Sequence, residues 1–147
     1  RSFTHQIVRH RLASFSQQSQ RYVSEQGFDY VEPPAIEANP VAHRRFTETM
    51  EEIRKTYQEL QELGITKQDA RFVLPNAVVS EIVISANLRE WRHIFDVRCQ
   101  PQAQWEIRTI CIEMLKLLQK AVPTVFSDFV IDEDKNVATI DVSMVSE

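Results

Sequence analysis

Only two of the chain's 147 residues are glycines, Gly27 and Gly64, and that scarcity removes whole architectures at once. A dinucleotide-binding turn or a P-loop needs several closely spaced glycines to bring backbone amides onto phosphate. A chain of this composition that binds nucleotides must meet phosphate with side chains instead.

One stretch supplies them. Arg9-His10-Arg11-Leu12-Ala13-Ser14-Phe15-Ser16-Gln17-Gln18-Ser19-Gln20-Arg21-Tyr22 carries three arginines, one imidazole, three serines and three amides. From Ser2 to Arg11 the apolar residues Phe3, Ile7 and Val8 recur at helical spacing, with Ser2 placed to cap the start. From Leu12 onward few residues favour helix, and an extended strand is expected. Alternation along it puts Gln17, Ser19 and Arg21 together, with Phe15 beneath. Arginine beside a hydroxyl and an amide can hold phosphate through charge-assisted hydrogen bonds, and the helix end bearing Arg9, His10 and Arg11 adjoins that face.

Further along, Val23 to Val31 leads into Pro33-Pro34, which force an extended exit. Asn39-Pro40 starts a long helix with a stripe of Phe46, Met50, Ile53, Tyr57 and Leu60, stopped by Gly64. Thr66 to Asp69 opens a short helix in the manner of a capping box, running through Arg71 and ending before Pro75. Val78 to Ala86 reads as a second strand, buried on account of its apolar bias. Asn87 caps a helix to about Val97, which Pro101 follows. From Ala103 the residues Ile107, Ile110, Cys111, Met114, Leu117, Leu118 and Ala121 give the strongest core helix, ended by Pro123. Val130-Ile131, a polar turn at Asp132 to Asn136 and Val137 to Val142 form a hairpin.

The length predicts a single domain over 1–147. A net charge of −4 argues against a general nucleic-acid coat, and no apolar run is long enough for a membrane helix. Cys99 and Cys111 lack metal spacing, so no metal site is expected, and a reduced, cytoplasmic setting is. Because the chain opens on Arg1 without a signal peptide, a fragment or processed product is expected. Beyond the opening stretch three places could carry chemistry: Arg71, the pair Arg89 and His93 sharing a helix face behind Asn87, and Arg98. The residue pattern by itself does not choose among these arginines.

Arg9-His10-Arg11, seven residues and then Ser19 resembles the signature of the flavin-dependent thymidylate synthases. Ser2-Phe3-Thr4-His5-Gln6 before it and Gln20-Arg21-Tyr22 after it are similar to that family too. The resemblance extends from Phe3 nearly to Phe129 in the family's order. It takes in Arg71 ahead of Leu74-Pro75, then Asn87-Leu88-Arg89 with His93. Last comes Arg98 ahead of Ala103-Gln104-Trp105-Glu106-Ile107-Arg108.

The resemblance implies an α+β fold, a small central and mostly antiparallel sheet packed with long helices. It also implies that the family's segment before the signature is missing here. Gln6, Arg9, Gln17, Ser19, Gln20, Arg21, Arg71 and Arg98 would hold dUMP. Arg9, His10, Arg11, Gln17, Asn87, Leu88, Arg89 and His93 would contact FAD. Gln17 stands where some members carry an acid, and Gln20 where some carry glycine. The implied activity is that of a methyltransferase making dTMP from dUMP, with NADPH and 5,10-methylenetetrahydrofolate as co-substrates. The implied assembly is a homotetramer with active sites at subunit interfaces, with neither nucleic acid nor membrane as a partner. Arg98 would be the catalytic group, stabilising negative charge on the uracil ring. Ser19, a weak nucleophile without an adjacent base, would hold phosphate. Two other readings compete: a catalytically inactive relative acting as an assembly or regulatory subunit, and an RNA-binding module built on Arg9, Arg11, Arg21 and Tyr22.

Overall fold

The computed structural model describes residues 1–20 and 27–144. It is an α+β structure of helices and two small antiparallel sheets of two strands each. Its elements run α1 (Ser2–Ile7), β1 (Ala13–Gln17), α2 (Pro34–Glu37), α3 (Pro40–Glu62) and α4 (Lys67–Ala70), with a 3-10 turn at Arg71–Val73. Then follow β2 (Ile82–Ala86), α5 (Leu88–Arg98), α6 (Trp105–Ala121), α7 (Pro123–Phe126), β3 (Phe129–Asp132), β4 (Val137–Ile140) and a 3-10 turn at Val142–Met144. The chain divides into two compact units, one holding Arg1 and residues 16–83, the other residues 2–15 and 84–147.

The first unit is built on α3. Asn39 caps it, its side chain accepting from the Val41 and Ala42 amides at 3.1 and 3.2 Å, and Pro40 supplies a pre-set first turn. Gly64, at φ +85°, takes the left-handed conformation that ends it. The helix buries Met50 and Tyr57, and Met50 packs with Phe28 and Val78, flanked by Tyr30, Phe46, Ile53 and Leu74. Arg54 ties that core to the loop: its Nε donates to the Phe28 carbonyl at 2.9 Å, and its guanidinium lies over the Phe28 and Tyr30 rings. At the start of α4 the Thr66 hydroxyl donates to the Asp69 carboxylate at 2.8 Å. It does not cap a backbone amide, so a side-chain pair stands where the capping box was expected.

The second unit packs α1, α5 and the hairpin around α6. Ile107, Cys111, Ile112 and Leu115 on α6 are fully or almost fully buried, with Ile94 and Phe95 from α5, Cys99 just after it, and Phe126 and Phe129 beyond. Phe95 meets both Phe126 and Phe129 edge to face. Pro123 ends α6 and also starts the one-turn α7. The hairpin pairs Phe129 with Ile140 and Asp132 with Val137, and Asn136 takes the positive φ its turn needs.

Three expectations change. First, α1 stops at Ile7, and Arg9 to Arg11 lie in a turn. The bonds there run from Arg9 N to Gln6 O and from His10 N to Ile7 O, the tighter i to i−3 pattern that closes a helix; Ser2 lies within α1. Second, β1 ends at Gln17, so strand alternation does not reach Ser19. Third, the expected buried strand over 78–86 is only Ile82–Ala86, and every second residue is exposed. A sheet of two strands leaves one face outward, which Val83 and Ser85 occupy.

Phe95→Ala opens a hole among three aromatic rings. It should lower unfolding stability by about 3–5 kcal/mol, measured by denaturant titration. A loss under about 1 kcal/mol would contradict this packing.

Candidate active site

In the second unit, α5 carries four of the candidate residues, Leu88, Arg89, His93 and Arg98. Asn87 caps it, its side chain accepting from the Glu90 amide at 2.8 Å. Leu88, Arg89 and His93 are exposed on it, and Arg98 is its last residue. The Arg98 Nε donates to His10 Nε2 at 3.0 Å, and its Nη2 donates to the Gln6 carbonyl at 3.1 Å. Gln6 is itself held from α6: its amide donates to the Gln104 side-chain oxygen at 3.4 Å. That same oxygen caps the helix by accepting from the Glu106 and Ile107 amides at 3.0 and 3.2 Å. The Glu106 carboxylate accepts from the Phe3 amide at 3.0 Å in a buried bond, fixing α1 on α6.

His10 is buried, unlike its exposed neighbours Arg9 and Arg11. A guanidinium can only donate, so Nε2 must present its lone pair and the ring proton must sit on Nδ1. That nitrogen faces the Glu90 carboxylate at 3.6 Å, both side chains being 6% exposed. His93 stands edge-on to the ring, centroids 5.6 Å apart. Burial, then the Arg98 charge, hold His10 below the usual imidazole range against the opposing pull of Glu90. The ring is therefore neutral in the folded protein near neutral pH.

Arg9 and Arg11, with Val8, line a hollow of about 260 Å³. Two exposed guanidinium groups on a concave surface suit a diphosphate, so the donor set fits the anionic part of a dinucleotide.

The first unit holds the remaining described candidates. Gln17 donates to the Ser80 hydroxyl at 3.2 Å. Ser19 is half-buried, and Gln20 is buried with its amide nitrogen unpartnered among the described residues. Arg71 donates from Nε to the Gln68 carbonyl at 3.0 Å. Arg21 lies outside the described residues. The structure thus gathers Gln6, His10, His93 and Arg98 in one unit, while Gln17, Ser19, Gln20 and Arg71 belong to the other.

Sequence reasoning passed over Glu90 and Gln104. A signal for Glu90 was present: it lies at i−4 from Ile94, so a carboxylate falls on the apolar stripe of α5. Gln104 gave none, since glutamine is an uncommon helix cap. Cys99 and Cys111 are buried and unpaired, and burial pushes both thiols up to about 12, which leaves them chemically inert.

His10 makes the unit acid-sensitive in a defined direction. Its folded-state affinity for a proton is below that of the unfolded chain. As pH falls through about 6.5 the unfolded state therefore takes up the proton first, and stability drops. The stability advantage of wild type over His10→Gln should be full at pH 8 and shrink by pH 5.5, measured by denaturant midpoints. An advantage that grows on acidification would contradict the assignment.

No helix among the described residues is long and apolar enough to cross a membrane. The chain is similar to proteins named flavin-dependent thymidylate synthase. That of Nitratidesulfovibrio vulgaris is 48% identical over 135 residues, 86% of this chain and 55% of the relative. That of Geobacter sulfurreducens is 45% identical over 130 residues, 87% of this chain and 56% of the relative. That of Pyrococcus abyssi is 44% identical over 121 residues, 80% and 50% respectively. The chain spans about half the length of these curated relatives. The model of the thymidylate synthase complementing protein family matches residues 1–124, ahead of the hairpin and across α1, α5 and α6, and the chain belongs to that family.

Proposed function

We propose that the protein is a flavin-dependent thymidylate synthase, a methyltransferase converting dUMP to dTMP. In this reading 5,10-methylenetetrahydrofolate donates the carbon, and FAD reduced by NADPH gives the hydride. The observation that carries it is the setting of Arg98. Two of its nitrogens are anchored from behind by the His10 ring and the Gln6 carbonyl. Nη1 makes no hydrogen bond among the described residues and is left to a ligand. A cation fixed before the reaction needs no reorganisation when charge develops, which is how a preorganised donor lowers a barrier. Negative charge developing on the uracil ring makes carbon 5 a better nucleophile, and in this reading Arg98 stabilises that charge.

The other residues bind and orient. Arg9, Arg11 and Arg89 present exposed guanidinium groups to the anionic part of FAD, with His10, Gln17, Asn87, Leu88 and His93 completing its contacts. When bound, FAD supplies the reducing equivalents. Ser19, Arg21 and Arg71 hold the dUMP phosphate, and Gln6, Arg9, Gln17 and Gln20 orient the nucleotide. Sites shared between subunits of a homotetramer are part of this reading. So is a cytoplasmic setting.

The reading is tested by dUMP-dependent oxidation of reduced flavin in the presence of methylenetetrahydrofolate. A purified full-length protein that is colourless and inert in that assay would sink it. Arg98→Ala should keep a bound, reducible flavin while dTMP formation falls by at least about 100-fold, read by product assay and flavin absorbance. Ser19→Ala should raise the dUMP concentration required while chemistry persists. Complete loss of chemistry with dUMP binding intact would make Ser19 the attacking group instead.

A further inference from the structure

We propose that Glu90 is a positioning residue for Arg98, acting through His10: its buried carboxylate turns the imidazole so that Nε2 is held as an acceptor for the guanidinium. Three facts converge. Glu90 is only 5% exposed, although a carboxylate in the first turn of a helix would ordinarily sit in water. Its Oε1 lies 3.6 Å from His10 Nδ1, longer than a hydrogen bond but close enough to orient an N–H dipole in a dry setting. On the other side of the same ring, Nε2 takes the Arg98 Nε–H at 3.0 Å.

The arrangement is directional. Arg98 has no acceptor, so the ring must offer one, and the ring can do so only while its single proton points at Glu90. Remove the carboxylate and Nδ1 has no other acceptor among the described residues, so the required orientation loses its support on that side. The carboxylate also offsets the nearby Arg98 cation. Glu90 and Arg98 stand at i and i+8 on α5 with Ile94 between them, and His10 comes from the turn after α1. The ring thereby spans two helical turns and locks the last one. The charged and titratable groups facing it are Glu90, His93 and Arg98, all from α5. The catalytic consequence rests on the reading of Arg98 given above; the tautomer and the bond do not.

The test is nuclear magnetic resonance on full-length protein labelled with 15N at histidine and arginine, with turnover measured alongside. In wild type, His10 should show a protonated Nδ1 and a bare Nε2, and the Arg98 Nε–H should be protected from exchange. Glu90→Leu should lose both signatures and reduce kcat about tenfold or more at little change in the KM for dUMP. Glu90→Gln, which keeps an acceptor oxygen, should restore them. Glu90→Gln should also move the His10 titration midpoint to lower pH, because the carboxylate that favours the imidazolium is gone. An Arg98 Nε–H and His10 tautomer unchanged in Glu90→Leu would overturn the proposal. So would an unmoved midpoint in Glu90→Gln, the arm that decides if the leucine variant fails to fold. Resonance signatures as expected in a wild type without dUMP-dependent turnover would leave this positioning intact and reject the thymidylate synthase reading instead.

Discussion

A guanidinium donating to an imidazole nitrogen is a bond with one permitted state, and much of the second unit exists to keep it. The partner ring must be neutral, and its proton must be on the far nitrogen. It must also be dry, since water would compete for both groups. Burial supplies the first and last conditions, and Glu90 supplies the second. The ring can be delivered to that place only if the turn following α1 is fixed. The Phe3 to Glu106 bond and the capping oxygen of Gln104 fix it against α6. Helix α6 is in turn held by its buried apolar residues Ile107, Cys111, Ile112 and Leu115. Hydrophobic packing thus sets the height of a single cation through three polar steps.

The two buried carboxylates share a logic. Glu90 lies in the first turn of α5 and Glu106 in the first turn of α6, where unpaired backbone amides and the helix dipole favour negative charge. Each spends that advantage on a neighbouring segment rather than on its own cap, because Asn87 and Gln104 already serve as caps. One orients His10, and the other pins the backbone of α1. Polar groups buried in this way are costly unless partnered, so both links resist substitution more than surface ion pairs such as Lys55 with Glu59.

Elements whose identity depends on local chemistry were legible from the residues alone. Asn39-Pro40, Asn87 and the apolar stripe from Ile107 to Leu118 each announce a helix without reference to anything distant. What was hidden depends on partners. Val78 to Ala86 looks like an interior strand by composition, yet only Ile82–Ala86 is strand, and it alternates half-buried with exposed side chains because one face of its two-stranded sheet is left outward. Arg9, His10 and Arg11 read as three similar basic residues, but the fold buries the middle one and exposes the other two. No periodicity predicts that, since the segment is a turn. The arginines at 71, 89 and 98 were chemically equivalent in the sequence, and the family resemblance, not the pattern, ranked them. The structure adds a physical reason for Arg98: it is anchored by a ring nitrogen and a carbonyl, whereas Arg89 is exposed and Arg71 donates from Nε to the preceding turn.

The central claim is that Arg98 stabilises negative charge on a uracil ring. The most direct measurement uses 5-fluoro-dUMP, whose ring gives up its N3 proton more readily than that of dUMP, followed by ultraviolet absorbance as pH is raised. Bound to the full-length protein, the ring should ionise at a lower pH than it does in solution, and Arg98→Ala should abolish that shift. A bound ring that ionises at the same pH as in solution, or at a higher one, would contradict the account.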